Sequence, residues 1–331
     1  MHGVLEDALQ QRGWVPRVVP HVGYGTTTWV RVLARVLLSP PGGPRTDSAG
    51  AGVPSDLRGW RRFVSASAVG TAVTVEVDGR SHRVTSDRDG YVDVRVPASL
   101  EPGWHRVSVR VTGAPGPGTS ASVRIVGPGT RLGLVSDIDD TVIVTMLPQP
   151  LVAFRNAFLL RESARTPVPG MAELYAAVTA AHPDVFVVYL STGAWNTAGA
   201  LGRFLRHHGF PPGPLLLTDW GPTTTGWFRS GAEHKRSQLR RLLEDLPDLD
   251  WLLVGDDGQH DPAIYADLAA AAPERVTGIA IRELSLREQV VGHGTPVARD
   301  DVTPGPAAAV EVRAPDGFGL REALRGRGIL P

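Results

Sequence analysis

Between residues 26 and 126, apolar and polar positions alternate with the two-residue period of strands half-buried in a sheet. Residues 29–38 mix that alternation with an apolar end, and residues 72–77 alternate and run into Asp78-Gly79, a hairpin turn pair. Similar runs follow at 81–85, 91–96, 104–111 and 120–126, with a turn at Asp89-Gly90. Strands about ten residues apart, without a convincing helix, predict a small antiparallel β-sandwich over residues 1–128. Residues 1–20 read as a short amphipathic lead-in. Residues 39–56 form a Pro/Gly/Ser insertion, 113–118 a loop, and Gly127-Pro128-Gly129 the domain boundary.

From Arg131 the rhythm changes. Short apolar runs at 132–136, 185–190, 215–217, 251–254 and 276–281 alternate with helix-period stretches at 171–181, 197–208, 234–246 and 262–271. This order predicts an α/β domain over 129–285, a parallel sheet with helices on both faces. Residues 286–331 are Pro/Gly/Ala-rich and are expected to be a partly ordered extension.

Composition sharpens the picture at a few points. The 331 residues suggest two domains, and 42% hydrophobic and 21% charged residues argue against wholesale disorder. With no cysteine there is no disulfide framework, thiol nucleophile or Cys-ligated zinc. No apolar run reaches the ~20 residues of a membrane span. The start Met1-His2-Gly3-Val4-Leu5 lacks the basic and apolar regions of a secretory signal, so a cytoplasmic protein is expected. Zero net charge speaks against a general polyanion binder, and no nucleic-acid partner is expected. The charge divides unevenly, however: residues 1–130 carry 15 Arg against 10 acidic groups, and residues 131–331 carry 19 basic against 24 acidic groups. An anionic surface or partner for the basic half and an ordinary solvated surface are both compatible with that split. Every Lys/Arg position is arginine except Lys235. A lone lysine either survives on a helix surface or marks a place where a compact ammonium is needed.

Ligands of open α/β sheets bind at the carboxyl ends of the strands. Here those ends read Ser136-Asp137-Ile138-Asp139-Asp140-Thr141, Leu190-Ser191-Thr192-Gly193 and Gly255-Asp256-Asp257-Gly258-Gln259-His260-Asp261. Converging carboxylates repel, and a bound hard cation resolves the conflict; oxygen-only ligands favour Mg²⁺. An aspartate can attack phosphorus and form an aspartyl-phosphate. Asp137 is the candidate nucleophile and Asp139 the candidate general acid and base. Ser191 offers a hydroxyl, and Lys235, expected at a helix start, offsets charge on the transferred group.

The run Asp137-Ile138-Asp139-Asp140-Thr141 resembles the D-x-D-x-T signature of haloacid dehalogenase (HAD) phosphatases. Ser191, Lys235 and Asp256/Asp257 follow in the order of that superfamily's remaining motifs. Added to these, Tyr189-Leu190-Ser191-Thr192-Gly193-Ala194-Trp195-Asn196, Phe210-Pro211-Pro212-Gly213-Pro214-Leu215, Asp219-Trp220-Gly221, His234-Lys235 and the loop from Gly255 to Pro262 resemble the App1 phosphatidate phosphatase catalytic domain, over about residues 131–285. The resemblance implies a HAD-like Rossmannoid fold with a short cap insertion, and Mg²⁺-dependent removal of phosphate from phosphatidate or related lipid phosphates. It implies Asp137 and Asp139 as catalytic residues, and Thr141, Ser191, Thr192 and Lys235 as phosphate-binding. It implies metal ligands among Asp137, Asp139, Asp256 and Asp257, with the choice between the last two open.

Between the first two motifs, residues 146–161 form an apolar insertion with Arg155, Arg161 and, just beyond, Arg165. Leu151, Phe154, Phe158 and Leu159 make a helical stripe, which either receives acyl chains at an anionic membrane surface or packs on the core. Trp227, Phe228 and Arg229 are expected on a hairpin at the same rim or covering the sheet edge. His207-His208 reads as a solvated helix end. Gly23-Tyr24-Gly25-Thr26 resembles a phosphate loop only superficially, because no helix follows. A phosphatase of soluble phosphomonoesters and a non-catalytic lipid- or partner-binding protein remain the competing readings.

Overall fold

The computed structural model describes residues 9, 11–40, 67–144, 166–218, 227–258, 260–286, 288–289 and 310–331; of 227–230 it describes only the backbone. The chain divides into two compact units, Met1–Pro128 and Gly129–Pro331. The Pro/Gly/Ser insertion beyond residue 40, the apolar insertion with its arginines, and Asp219-Trp220-Gly221 lie outside the described residues.

Among its described residues, unit one forms a single eight-stranded sheet rather than two antiparallel ones. Its strands are β1 (Val15–Pro20), β2 (Gly23–Thr26), β3 (Trp29–Ser39), β4 (Ala72–Val77), β5 (Arg80–Thr85), β6 (Tyr91–Pro97), β7 (Gly103–Val111) and β8 (Thr119–Val126). The expected lead-in over 1–20 thus contains a strand, and the Gly23–Thr26 stretch is another. Long β3 pairs with β1 and β2 along one edge and with β6 along the other. One pair departs from the antiparallel expectation, because β2 runs parallel to β8. The alternation places Val30, Val32, Ala34 and Val36 of β3 in the same core as Val73 and Val75 of β4, Val107 and Val109 of β7, and Val123 and Ile125 of β8. One apolar face of one sheet has curled over its own core. The β4–β5 turn is the hairpin pair read from the sequence: Asp78 and Gly79 both take positive φ, 50° and 67°.

Unit two is a mixed α/β fold whose six-stranded sheet has the order β13-β12-β9-β14-β15-β16, every pair parallel. The strands are β9 (Leu132–Ser136), β12 (Phe186–Ala194), β13 (Leu215–Thr218), β14 (Asp250–Asp256), β15 (Val276–Arg282) and β16 (Val310–Ala314); β10 (Ile143–Val144) and β11 (Thr166–Pro167) form a separate small ladder. Among the described residues the helices are α1 (Met171–Ala181), α2 (Ala198–His207), α3 (Trp227–Asp245), α4 (Asp261–Ala271) and α5 (Gly317–Gly326). Leu134, Val187, Leu252 and Ala280 point to the face covered by Leu174, Tyr175 and Val178 of α1, Leu201 and Phe204 of α2, and Leu320 and Leu324 of α5. The opposite face is equally apolar. On it Gly133 lies between Phe186 and Trp251 in register, and a Cβ there would sit 2.5 Å from the Trp251 ring.

Two expectations are corrected. Residues 310–331 are not an extension: β16 adds the sixth strand and α5 packs in the main core. Helix α3 starts at Trp227, so the residues expected on a hairpin are helical and Lys235 lies in the third turn. Gly231 falls within this helix. Thr192 packs there, 3.1 Å from where a Cβ would be.

Candidate active site

Strand order reverses at β9, whose neighbours are β12 on one side and β14 on the other. The crevice at such a switch point lies beyond the carboxyl ends of these three strands. Asp137 follows the last residue of β9, and its N–H donates to Val254 O of β14 at 2.9 Å. Asp256 ends β14. Ser191 lies on the extended end of β12. Asp261 opens α4 immediately after the β14 loop.

These side chains converge and are almost fully buried. Carboxylate oxygens of Asp137, Asp256 and Asp261 lie within 4.8 Å of one another. Lys235 Nζ donates to Asp137 Oδ1 at 2.7 Å and to Asp261 Oδ1 at 2.5 Å. The Thr141 hydroxyl lies 3.2 Å from Asp137 Oδ2 and 3.3 Å from Asp256 Oδ2, placed to donate to either. The Ser191 hydroxyl donates to Asp139 Oδ2 at 3.0 Å and accepts from Gly193 N–H at 2.9 Å. Gly258 N–H donates to Asp256 Oδ1 at 2.8 Å.

Local backbone explains the convergence. Asp140 takes φ +56°, a left-handed conformation, and its N–H donates to Ile143 O at 2.8 Å. The turn brings Thr141 back between the two strand tips. Gly255 is needed for a different reason: a Cβ there would lie 2.6 Å from Asp261 Oδ2 and 2.8 Å from the Tyr265 ring.

One ammonium cannot neutralise three buried carboxylates. Burial raises the Asp137 carboxyl from its ordinary value to about 7, opposed by Lys235 and reinforced by Asp261 and Asp139. Burial, with the charges of Asp261 and Asp137, also holds Asp256 well above the usual carboxylate range. Burial acts to lower the Lys235 pKa, but Asp137 and Asp261 more than reverse this and keep it raised. Asp261 Oδ2 is buried and has no hydrogen-bond partner among the described residues. An all-oxygen, electron-rich cluster with such an oxygen fits a hard divalent cation.

The structure brings together Asp137, Asp139, Thr141, Ser191, Lys235 and Asp256 as read from the sequence. Thr192 is half-buried beside them, its carbonyl accepting from the Thr218 hydroxyl at 2.9 Å. Asp257 does not join the cluster. Its Oδ1 accepts from Leu284 N–H at 2.8 Å, and its N–H donates to Arg282 O at 3.0 Å, so it ties the β14 loop to the end of β15. Successive residues leaving a strand point opposite ways, and only Asp256 faces the crevice. Asp261 was missed. As the first residue of an Asp-Pro helix start it reads as an N-terminal charge, and only its spacing from Asp256 hinted otherwise.

Residues 132–283 match the family described as the catalytic domain of phosphatidate phosphatase APP1. Phosphatidate phosphatase APP1 of Saccharomyces cerevisiae is 31% identical over 153 residues, 46% of this chain and 26% of that protein. An uncharacterized protein of Schizosaccharomyces pombe is 28% identical over 154 residues, 46% of this chain and 25% of that protein. The chain thus spans about a quarter of the length of these curated relatives. Among solved structures, a haloacid dehalogenase-like hydrolase from Burkholderia xenovorans LB400 aligns over 61% of this chain and 99% of its own, with 14% identity and a TM-score of 0.38. Over residues 132–283, this chain carries an App1-like catalytic domain.

Proposed function

We propose that this protein is a Mg²⁺-dependent phosphatase that removes phosphate from phosphatidate or a related lipid phosphate through an aspartyl-phosphate. The observation that carries the reading is the meeting of Asp137, Asp256, Asp261 and Lys235 at the carboxyl end of the sheet. Asp137, Asp256 and Asp261 would hold the cation, which when bound neutralises charge on the phosphoryl oxygens and on the carboxylates. Asp137 attacks phosphorus, and the bond to the leaving oxygen breaks as Asp139 gives that oxygen a proton. Asp139 then takes a proton from water, whose oxygen attacks the phosphorus, releasing inorganic phosphate and restoring Asp137. The Ser191 hydroxyl, hydrogen-bonded to Asp139, and the Lys235 ammonium, with Thr141 and Thr192, hold the phosphoryl oxygens. Among the described residues no helix is long and apolar enough to cross a membrane. A lipid substrate would be met by transient contact with an anionic membrane surface.

The test is phosphate release from phosphatidate in mixed micelles and from water-soluble phosphomonoesters, with Mg²⁺ and with EDTA. Release from phosphatidate that needs Mg²⁺ and disappears in Asp137→Asn is the expected result. Turnover confined to soluble esters would overturn the lipid assignment, and substantial activity in Asp137→Asn would overturn the nucleophile.

A further inference from the structure

Arg282 closes β15 and is buried to 5% exposure, yet it touches none of the carboxylates that make up the site. Its Nη1 donates to the main-chain oxygen of Asp140 at 2.7 Å, its Nη2 to Glu288 Oε1 at 2.5 Å, and its Nε to Pro315 O at 3.2 Å. Its own carbonyl accepts from the N–H of Asp257. One residue therefore joins the loop after Asp137, the loop after Asp256 and the turn that leads into α5.

The bond to Asp140 is the informative one. Asp140 holds the left-handed turn between Asp139 and Thr141, a conformation that aspartate tolerates better than most residues but that still benefits from an external contact to hold it. A charged donor aimed at that residue's carbonyl is the kind of contact that holds it, because charge-assisted hydrogen bonds are roughly twice as strong as neutral ones. The guanidinium is itself anchored. The second carboxylate oxygen of Glu288 accepts from both N–H and Oγ of Ser285 at 2.8 Å, so Glu288 caps a helical turn with one oxygen and fixes Arg282 with the other. Lysine, with a single point of charge, could not serve three acceptors at these positions.

We propose that Arg282 is a positioning residue for the phosphatase reaction: it locks the turn at Asp140 and so sets the spacing of Asp137, Asp139 and Thr141 against Asp256. The kinetic side of this inference rests on the phosphatase reading; the conformational side does not.

The experiment uses the full chain, with Arg282→Ala and wild type compared by amide hydrogen exchange and by steady-state turnover with Mg²⁺. In the variant the amides of Asp140, Val142 and Ile143, bonded within the turn, should lose protection while those of β9 and α1 keep theirs. For phosphatidate, kcat should fall about 100-fold, as a displacement near 1 Å at a reacting group does, with KM changed far less. Added guanidinium ion at millimolar concentration should restore part of kcat together with protection at Asp140, which an arginine acting only through overall stability would not allow. Unchanged protection at Asp140, or kcat within about twofold of wild type, would overturn the proposal. Should Arg282→Ala fail to fold, Glu288→Gln, which loosens the anchor and keeps the arginine, is read by the same two measurements. If wild type releases no phosphate from any ester, the phosphatase reading falls, and exchange at Asp140 still decides whether Arg282 holds the turn.

Discussion

Lys235 stands against more negative charge than it can balance, and the imbalance has measurable consequences. Replacing it with methionine removes the ammonium shared by buried Asp137 and Asp261, and breaking a buried pair in this way costs about 3–5 kcal/mol. Urea unfolding of Lys235→Met should show that loss. The Asp137 carboxyl, raised from 3.8 to about 7, binds a proton in the folded state over a range where the unfolded chain has released it. With EDTA present, its contribution to stability is complete below about pH 4 and is lost as pH rises through about 7. The pH dependence of Tm in EDTA should therefore flatten between these values in Asp137→Asn. A divalent cation added at neutral pH should raise Tm, by an amount equivalent to about 2.7 kcal/mol at a concentration of 100 times Kd. At this scale the sequence was informative, because acidic residues at strand tips can be counted directly. The exceptions were residues whose role depends on direction. Asp257 and Asp261 look alike on paper, but one turns toward Leu284 and the other toward Lys235.

Strand and helix packing accounts for what periodicity missed. Gly133 lies in the central strand because the Trp251 indole occupies the place of a side chain. Gly133→Ala should cost about 1–3 kcal/mol through overpacking, read as a lower urea midpoint at unchanged slope. The strand at 132–136 was legible despite its glycine, but the partner that requires the glycine was not, and the helix expected from 234 begins seven residues earlier, through Gly231. Both glycines arise from a close approach between segments distant in the chain, Gly133 with Trp251 and Gly231 with Thr192. A local pattern cannot encode such an approach. By contrast, β9 and β15 were legible almost to the residue, because strands covered on both faces are apolar throughout.

Across the molecule, the catalytic unit depends on its last residues more than their composition suggests. Leu320 and Leu324 are fully buried in the core with α1, although α5 contains Gly317, Gly319 and Gly326. Leu320→Ala should destabilise the unit by about 2–5 kcal/mol, as buried leucine truncations do, in a thermal melt of the full chain. Five residues of β16 and a glycine-rich helix give too short a periodic signal to stand out, and the parallel pairing with β15 supplies what the segment lacks alone. The isolated lysine has a practical counterpart at this scale. An endoproteinase that cleaves only after lysine finds a single target bond in the chain, Lys235–Arg236, in the interior of α3 with the lysine side chain enclosed. Digestion yields one scission event per molecule, so at protease concentrations where cleavage outpaces reclosing its rate is a clock for how often that helix opens, and at lower concentrations it reports the population of the open form.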